Sequence, residues 1–204
     1  MAERARPGRS PRPVLGHVDS DTAPAPVDLE LLRSFLSLHQ HADPGRRDSL
    51  PPDTDTLRWW LERNRLVATG ARPRAEDLRW ALSVRDALRA KVAETMGEPR
   101  DDRAISVLNR AARSTGVRLC YGCEEGRALH VEATGVRGVV GELLGAAFLA
   151  ELDGRLDRFR FCADPTCAAV FYDRSKNRSG RWCSMNVCGN RAKVRAFRDR
   201  QATA

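Results

Sequence analysis

Residues 162–188 read CADPTCAAVFYDRSKNRSGRWCSMNVC and contain four cysteines: Cys162, Cys167, Cys183 and Cys188. Each pair encloses four residues, and fifteen residues separate the pairs. Two short loops can each deliver two thiolates to one tetrahedral zinc ion, and four thiolates leave no open position for catalysis. The alternative interpretation, four unrelated reduced core cysteines, is weaker. A segment of roughly 45 residues with few large apolar side chains needs a covalent or metal cross-link to form a stable fold. The spacing predicts one structural Zn²⁺ on these four ligands.

The residues around the cysteines predict the rest of this module. Turn-forming residues fill the first cysteine loop, residues 168–172 are typical of a short strand, and residues 177–180 form another turn. Ser184 or Asn186 can cap a final helix that extends to Arg200. A strand, a cysteine loop, a second strand and a helix around one zinc ion form a treble-clef-like finger.

The excess positive charge of the chain lies in the same segment. Residues 155–200 contain twelve Lys/Arg and four Asp/Glu. The difference, +8, equals the net charge of the whole chain. Such a concentration of charge favours a polyanionic partner, meaning nucleic acid or an anionic membrane surface. No apolar run approaches the ~18 residues of a membrane span. Arginine-rich composition alone is the competing explanation, because 32 of the 35 basic residues are arginine.

The remaining chain predicts an α+β domain over residues 27–154, mostly helical with one small antiparallel sheet. Apolar spacing predicts five helices, and residues 117–123 with 128–133 predict a hairpin. The helices are expected over residues 27–39, 57–66, 74–96, 101–115 and 136–152. Residues 1–26 are rich in Pro and Arg, lack the apolar stretch of a secretory signal and are predicted to be a disordered tail. A cytoplasmic protein is expected, and residues 27–154 are expected to fold without the finger.

Residues 159–200 resemble the CGNR zinc finger over nearly all of their length. The resemblance rests on Phe161-Cys162, Cys167, Phe171 with Asp173, Ser175-Lys-Asn177, Arg181-Trp-Cys-Ser-Met185 and Cys188-Gly-Asn-Arg191-Ala-Lys193. In that family the finger follows an α/β domain named ABATE, and the organisation of residues 27–154 is similar to it. Near its start this chain reads Phe35-Leu-Ser-Leu-His-Gln40, where family members tend to carry an Asp-Phe-Val-Asn-Thr-like stretch. The resemblance implies a bacterial, stress-linked transcription regulator.

The final helix predicts a basic surface that contacts DNA. Arg191, Arg195 and Arg198 are spaced by four and three residues, and hence share a helix face. Val194 and Phe197 are expected to pack inward, against Phe171 or Trp182. The full set of predicted nucleic-acid contacts is Lys176, Arg178, Arg181, Arg191, Lys193, Arg195 and Arg198. The alternative is that Asn190 and Arg191 hold the zinc loops in place.

The sequence therefore predicts a zinc-dependent, DNA-binding regulator whose first domain senses a small-molecule effector or forms a homodimer. The runner-up is a protein- or RNA-interaction adaptor. No phosphate-binding glycine loop, nucleophile elbow or His-Glu-x-x-His helix is present, so no enzymatic activity is expected. Cys120 and Cys123 form a second Cys-x2-Cys, but residues three apart on a strand face opposite sides. They are expected to be ordinary half-buried cysteines.

Overall fold

The computed structural model describes residues 24–38, 40–41, 49–50, 52–67, 73–121, 129–167 and 169–202, without the side chains of residues 40–41 and 49–50. Most of the predicted tail, residues 1–23, lies outside the described residues. Ala25 already belongs to the folded part, because it is buried in the core and its backbone N–H donates to Glu30 Oε2 at 2.6 Å. Among the described residues no helix is long and apolar enough to cross a membrane.

The described residues form six α-helices, and each lies where apolar spacing or the finger motif predicts one. They are α1 (Val27–Leu36), α2 (Thr54–Arg63), α3 (Ala75–Thr95), α4 (Asp102–Thr115), α5 (Gly135–Leu152) and α6 (Asn190–Ala202). Side-chain caps set two of the starts: Asp53 accepts from the Thr56 N–H, and Asp101 accepts from two N–H groups of α4. Gly116, at φ 66°, ends α4 in the left-handed region.

The strands in the described part of the chain are short and form three antiparallel pairs. They are β1 (Gln40–His41) with β2 (Ser49–Leu50), β3 (Arg118–Leu119) with β4 (Leu129–His130), and β5 (Phe159–Phe161) with β6 (Val170–Tyr172). The second pair confirms the predicted hairpin, and β6 confirms the short strand predicted within residues 168–172. The first was not predicted, because two-residue strands are too short to show an alternating pattern.

The core of the first domain packs α1, α2, α3 and α5 together around large apolar side chains. Trp60 is fully buried, and its ring centroid lies 5.3 Å from that of Phe35. Two arginines of α3 enter the same region and cap α1, since Arg85 donates to the Leu38 carbonyl and Arg89 donates to the Leu36 carbonyl at 2.6 Å. Burial, and then the charge of Arg85, lowers the pKa of Arg89 to about 10.

The first hairpin of the finger completes this core. Phe159 and Val170 are fully buried in it, and Tyr172 packs edge-on against Phe159. The Ser37 hydroxyl, at the end of α1, donates to the Val170 carbonyl at 2.6 Å and accepts from the Val170 N–H at 3.1 Å. Residues 27–154 therefore share their core with β5 and β6, and the expectation that they fold without the finger stays a prediction. Without β5 and β6 their apolar surface would face water.

Candidate metal centre and basic helix

The four predicted metal ligands meet at one point. The sulfur atoms of Cys162, Cys167, Cys183 and Cys188 all lie within 4.8 Å of one another. The Cys183 sulfur lies 3.6 Å from both Cys167 and Cys188. A tetrahedral zinc ion with Zn–S bonds of about 2.3 Å places its sulfurs about 3.8 Å apart. The site therefore has the chemistry and the size of a closed four-thiolate zinc centre.

Backbone hydrogen bonds hold the first ligand loop between β5 and β6. The Cys162 N–H donates to the Ala169 carbonyl at 3.0 Å, and the Cys167 N–H donates to the Asp164 carbonyl at 2.9 Å. Asp164 also accepts from the backbone and hydroxyl of Thr166, at 3.1 and 3.0 Å. These bonds bend the chain so that both sulfurs face the same side, as a short chelating loop requires.

The second ligand loop is the start of the final helix. Ser184 caps it by accepting from the Val187 N–H at 3.2 Å, which confirms one of the two predicted caps. A π-helical turn over Met185–Gly189 then carries Cys188 inward and leads directly into α6. A widened turn of this kind is common at functional sites. With β5, the cysteine loop and β6, this completes the predicted treble-clef-like finger.

Each residue of the Cys188-Gly-Asn-Arg191 motif has a local task. Cys188 supplies a sulfur and is 1% exposed. A Cβ on Gly189 would lie 2.5 Å from the Met185 sulfur, so no larger residue fits without a shift. Asn190 donates to the Asn186 carbonyl at 2.9 Å and closes the widened turn. The motif therefore shapes the metal loop.

Arg191 ties the two ligand loops together. Its guanidinium donates to the Cys188 sulfur at 3.2 Å and to the Thr166 hydroxyl at 3.3 Å. Its Nε also lies 3.2 Å from Asp164 Oδ2, without the alignment of a hydrogen bond. Burial alone would lower the pKa of Arg191, but the negative charges at Cys188 and Asp164 raise it. Arg191 is thus a permanent cation beside the thiolates.

Asp164 is the partner that the sequence did not reveal. It is 2% exposed, and Arg195 approaches its Oδ1 at 3.3 Å from the next turn of α6. Burial alone would raise the pKa of Asp164, yet the bonds from Thr166 and the charge of Arg191 lower it. The signal was present in the first loop, where an aspartate precedes Pro165-Thr166, a sequence that predicted only a turn.

Hydrogen bonds among the four sulfurs shift the pKa values of two of these thiols in opposite directions. Hydrogen bonds from Cys167, and next from Cys183 and Cys188, lower the pKa of Cys162. Hydrogen bonding with Cys162 and its neighbours raises the pKa of Cys183. Zinc binds thiolates, so occupation of this cluster by the ion would release the remaining thiol protons.

The predicted nucleic-acid contacts divide into two groups. Arg191 and Arg195 form ion pairs with Asp164 in the first ligand loop. The other five side chains are exposed: Lys176, Arg178, Arg181, Lys193 and Arg198. Arg178 pairs with Asp157 at 3.5 Å and Arg181 stacks on Trp182. Within the described residues, Lys176, Lys193 and Arg198 have no ion-pair partner.

The apolar residues of α6 do not face inward as predicted. Val194 is 49% exposed and Phe197 is 54% exposed, so neither packs inward against Phe171 or Trp182. The inward side belongs instead to Arg191 and Arg195. The reason is electrostatic, because the buried carboxylate of Asp164 requires cations and an apolar side chain there would leave it unpaired. None of the residues of α6 is buried.

Cys120 is half-buried, as predicted. It is disulfide-bonded, whereas the four finger cysteines are free. Cys123 lies outside the described residues.

A closed four-cysteine centre under a basic helix defines a zinc finger, here joined to a helical domain. Family comparisons match residues 158–201 to the CGNR zinc finger and residues 25–151 to ABATE, which is described as "Putative stress-induced transcription regulator". The chain belongs to the ABATE family and ends in a CGNR zinc finger. These are a regulator family and a zinc-finger family, not enzyme families. No curated protein matches the chain.

Proposed function

We propose that this protein is a zinc-dependent, DNA-binding transcription regulator and that α6 is its principal DNA contact. One observation carries the proposal: thirteen residues of α6 contain five Lys/Arg and one Asp, and none of them is buried. A helix that only stabilised the finger would bury an apolar stripe against it. This helix instead presents Lys193, Arg198 and Arg200 to solvent.

The dimensions of α6 suit the major groove. Thirteen residues span about 20 Å, and a helix with its side chains is about 10–12 Å wide. The major groove of B-DNA is about 12 Å wide and admits one helix. Lys193 and Arg198 project from this helix, while Lys176, Arg178 and Arg181 project from the finger loop and can grip phosphates beside the groove.

One Zn²⁺ per chain is the proposed cofactor, with Cys162, Cys167, Cys183 and Cys188 as its ligands. The ion would fix the start of α6 relative to β5 and β6 and supply much of the folding energy of the finger. Four thiolates leave no position for a substrate or an activated water. The proposed role is therefore structural, and the proposed function is not enzymatic.

The first domain is the proposed regulatory part. It shares its core with β5 and β6, so a change of packing there reaches the finger directly. We assign it the sensing of a small-molecule effector or homodimerisation, in a bacterial cytoplasmic protein with the division into residues 1–26, 27–154 and 155–204. This division follows the charge, since the excess positive charge of the chain lies in the last segment.

A protein- or RNA-interaction adaptor is the second candidate. Val194 and Phe197 lie three residues apart on α6 and are about half exposed. Exposed apolar side chains on a helix are typical anchors for a partner protein. In duplex DNA the same side chains can contact thymine methyl groups, so their exposure is compatible with both candidate functions.

Binding of labelled duplex DNA by zinc-loaded, full-length protein over a range of salt concentrations tests the proposal. Arg198→Ala should reduce the slope of log affinity against log salt by roughly 0.9 if Arg198 contacts a phosphate. If Arg198 reads a base, the variant should instead lose about 1–3 kcal/mol on the preferred site only. Arg113→Ala, on the exposed surface of α4, is the matched control and should change neither quantity. Absence of measurable DNA affinity at low salt would remove the direct-binding proposal and favour the adaptor.

A further inference from the structure

A cavity of about 560 Å³ lies in the first domain, bounded by α1, α3, α4, α5 and the β3–β4 hairpin. Its floor reaches the core, because Leu32, Leu36 and Val92 are at most 1% exposed. At its rim, in the part of the chain that the structure describes, Leu119 is 66% exposed and Phe148 is 51% exposed. Pockets for small organic ligands have volumes of about 300–1,000 Å³ and mostly apolar walls. The space has the size and lining of a ligand site.

The charged groups of this cavity are already paired. Lys91 lies between Glu151 at 2.8 Å and Glu94 at 3.3 Å, and its side chain is only 19% exposed. Arg118 pairs with Glu132 at 2.6 Å, and Arg100 pairs with Asp102 at 2.8 Å. A ligand carboxylate would have to approach Lys91 beside two existing carboxylates. Like charges at that distance repel, so the site disfavours an anion.

One hydrogen-bond donor nevertheless remains. An ammonium group has three N–H donors, and Lys91 uses two of them on Glu94 and Glu151. The third can serve an oxygen atom of a ligand. Hydrogen bonding to Glu151, the largest cause, raises the pKa of Lys91 and keeps this donor charged at neutral pH.

We propose that this cavity binds a small, uncharged, mostly hydrocarbon molecule with one oxygen acceptor, which Lys91 hydrogen-bonds. Apolar walls that reach the core supply the affinity, since removing hydrocarbon surface from water is favourable. Lys91 supplies orientation and selects a neutral carbonyl or hydroxyl oxygen over a hydrocarbon. The ligand class is thus a medium-chain ketone, alcohol or related neutral compound.

Two walls of the cavity connect directly to the finger. Leu36 precedes Ser37, which bonds the backbone of Val170 in β6. Leu156 begins the 3₁₀ turn Leu156–Arg158, which leads into β5 and the first metal ligand. Occupancy of the cavity would therefore fix the positions of both strands that carry the first ligand loop. This regulatory consequence rests on the proposed DNA-binding function, whereas ligand binding itself does not.

Displacement of a neutral fluorescent probe, N-phenyl-1-naphthylamine, from zinc-loaded full-length protein tests the binding step. 2-Decanone should displace the probe at lower concentration than decanoate, which has the same chain length but carries a charge. Lys91→Met should weaken 2-decanone by roughly two- to tenfold, the equivalent of one hydrogen bond, and leave the probe unchanged. Equal or stronger displacement by decanoate in the wild-type protein would overturn the neutral ligand class, whatever the variants do.

A cavity-filling variant locates the bound probe. Ala112 lines the cavity from α4, so Ala112→Phe should place a ring in it and weaken the probe by roughly tenfold or more. Ser106→Phe adds the same ring to the exposed side of α4 and should leave affinity unchanged. No probe binding by the wild type, or equal binding by wild type and a folded Ala112→Phe, would refute the site. DNA affinity measured on the same samples separates the two proposals, because either can fail while the other holds.

Discussion

Replacing Arg191 with methionine tests whether this arginine supports the metal centre or contacts nucleic acid. Methionine keeps much of the length of the side chain but removes the guanidinium that bonds Cys188 at 3.2 Å and Thr166 at 3.3 Å. The substitution also removes one of the two cations beside Asp164, whose side chain is 1% exposed. The effect should therefore appear first as weaker zinc binding.

The magnitude follows from what remains after the change. Removing one partner of a buried ion pair costs about 3–5 kcal/mol when the other charge is left alone. Here Arg195 stays 3.3 Å from Asp164, so the loss should be smaller. Loss of a hydrogen-bond donor to a metal ligand lowers metal affinity by about 10–100-fold. We expect a loss in that range, or about 1.4–2.7 kcal/mol.

Competition for zinc between full-length protein and a coloured chelator, 4-(2-pyridylazo)resorcinol, measures this affinity. Arg191→Lys should lie between wild type and Arg191→Met, because lysine keeps the charge but cannot reach Cys188, Thr166 and Asp164 at once. Arg198→Met is the control, since Arg198 is exposed and has no ion-pair partner among the described residues, and it should retain zinc as wild type does. Normal zinc affinity in Arg191→Met, with DNA binding lost, would refute this reasoning and make Arg191 a nucleic-acid contact.

Three further predictions concern the stability of the finger. Cys183→Ser should abolish stoichiometric zinc in metal analysis. Because β5 and β6 share the core of the first domain, the substitution should also lower the thermal midpoint of that domain, and an unchanged midpoint would contradict the shared core. Gly189→Ala should reduce zinc retention, since its Cβ would meet Met185 at 2.5 Å, whereas Gly97→Ala, with open space around its Cβ but φ 101°, should affect stability without affecting zinc. Burial alone would raise the pKa of Asp173, but the Ser175 hydroxyl and the backbone N–H groups of Ser175 and Gly180 lower it, so Asp173→Asn should be destabilising at pH 7. That difference should shrink as pH falls from about 4 through the lowered pKa, and denaturant unfolding at several pH values measures it.

Local patterns were sufficient for the helices and for the ligand set. The apolar spacing of α3 and the stop at Gly116 depend on neighbours within a few turns, so the sequence carries them directly. The four cysteines could be assigned together because only that spacing offers two chelating pairs to one ion. Local sequence patterns could not predict the pairing of β1 with β2, since each strand contributes only two residues.

The orientation of α6 shows where local reasoning stops. From the sequence, Val194 and Phe197 are the apolar residues of an otherwise basic helix, and apolar residues usually face inward. In the structure Asp164, some thirty residues away along the chain, occupies the inward side and draws Arg191 and Arg195 to it. A contact between residues so far apart along the chain leaves no periodic pattern in the sequence, so local reasoning cannot predict it.

By itself, the sequence determined the helices, the grouping of the four cysteines, the finger architecture and the location of the excess charge. These features arise from short-range spacing and composition. Only the tertiary structure decided that the finger's first hairpin closes the core of the first domain and that the basic stripe is divided between Asp164 and solvent. It also decided that Leu36, Lys91 and Ala112 line a single cavity. Those outcomes depend on which distant side chains share a buried space, and the free energy of that burial is a property of the whole fold.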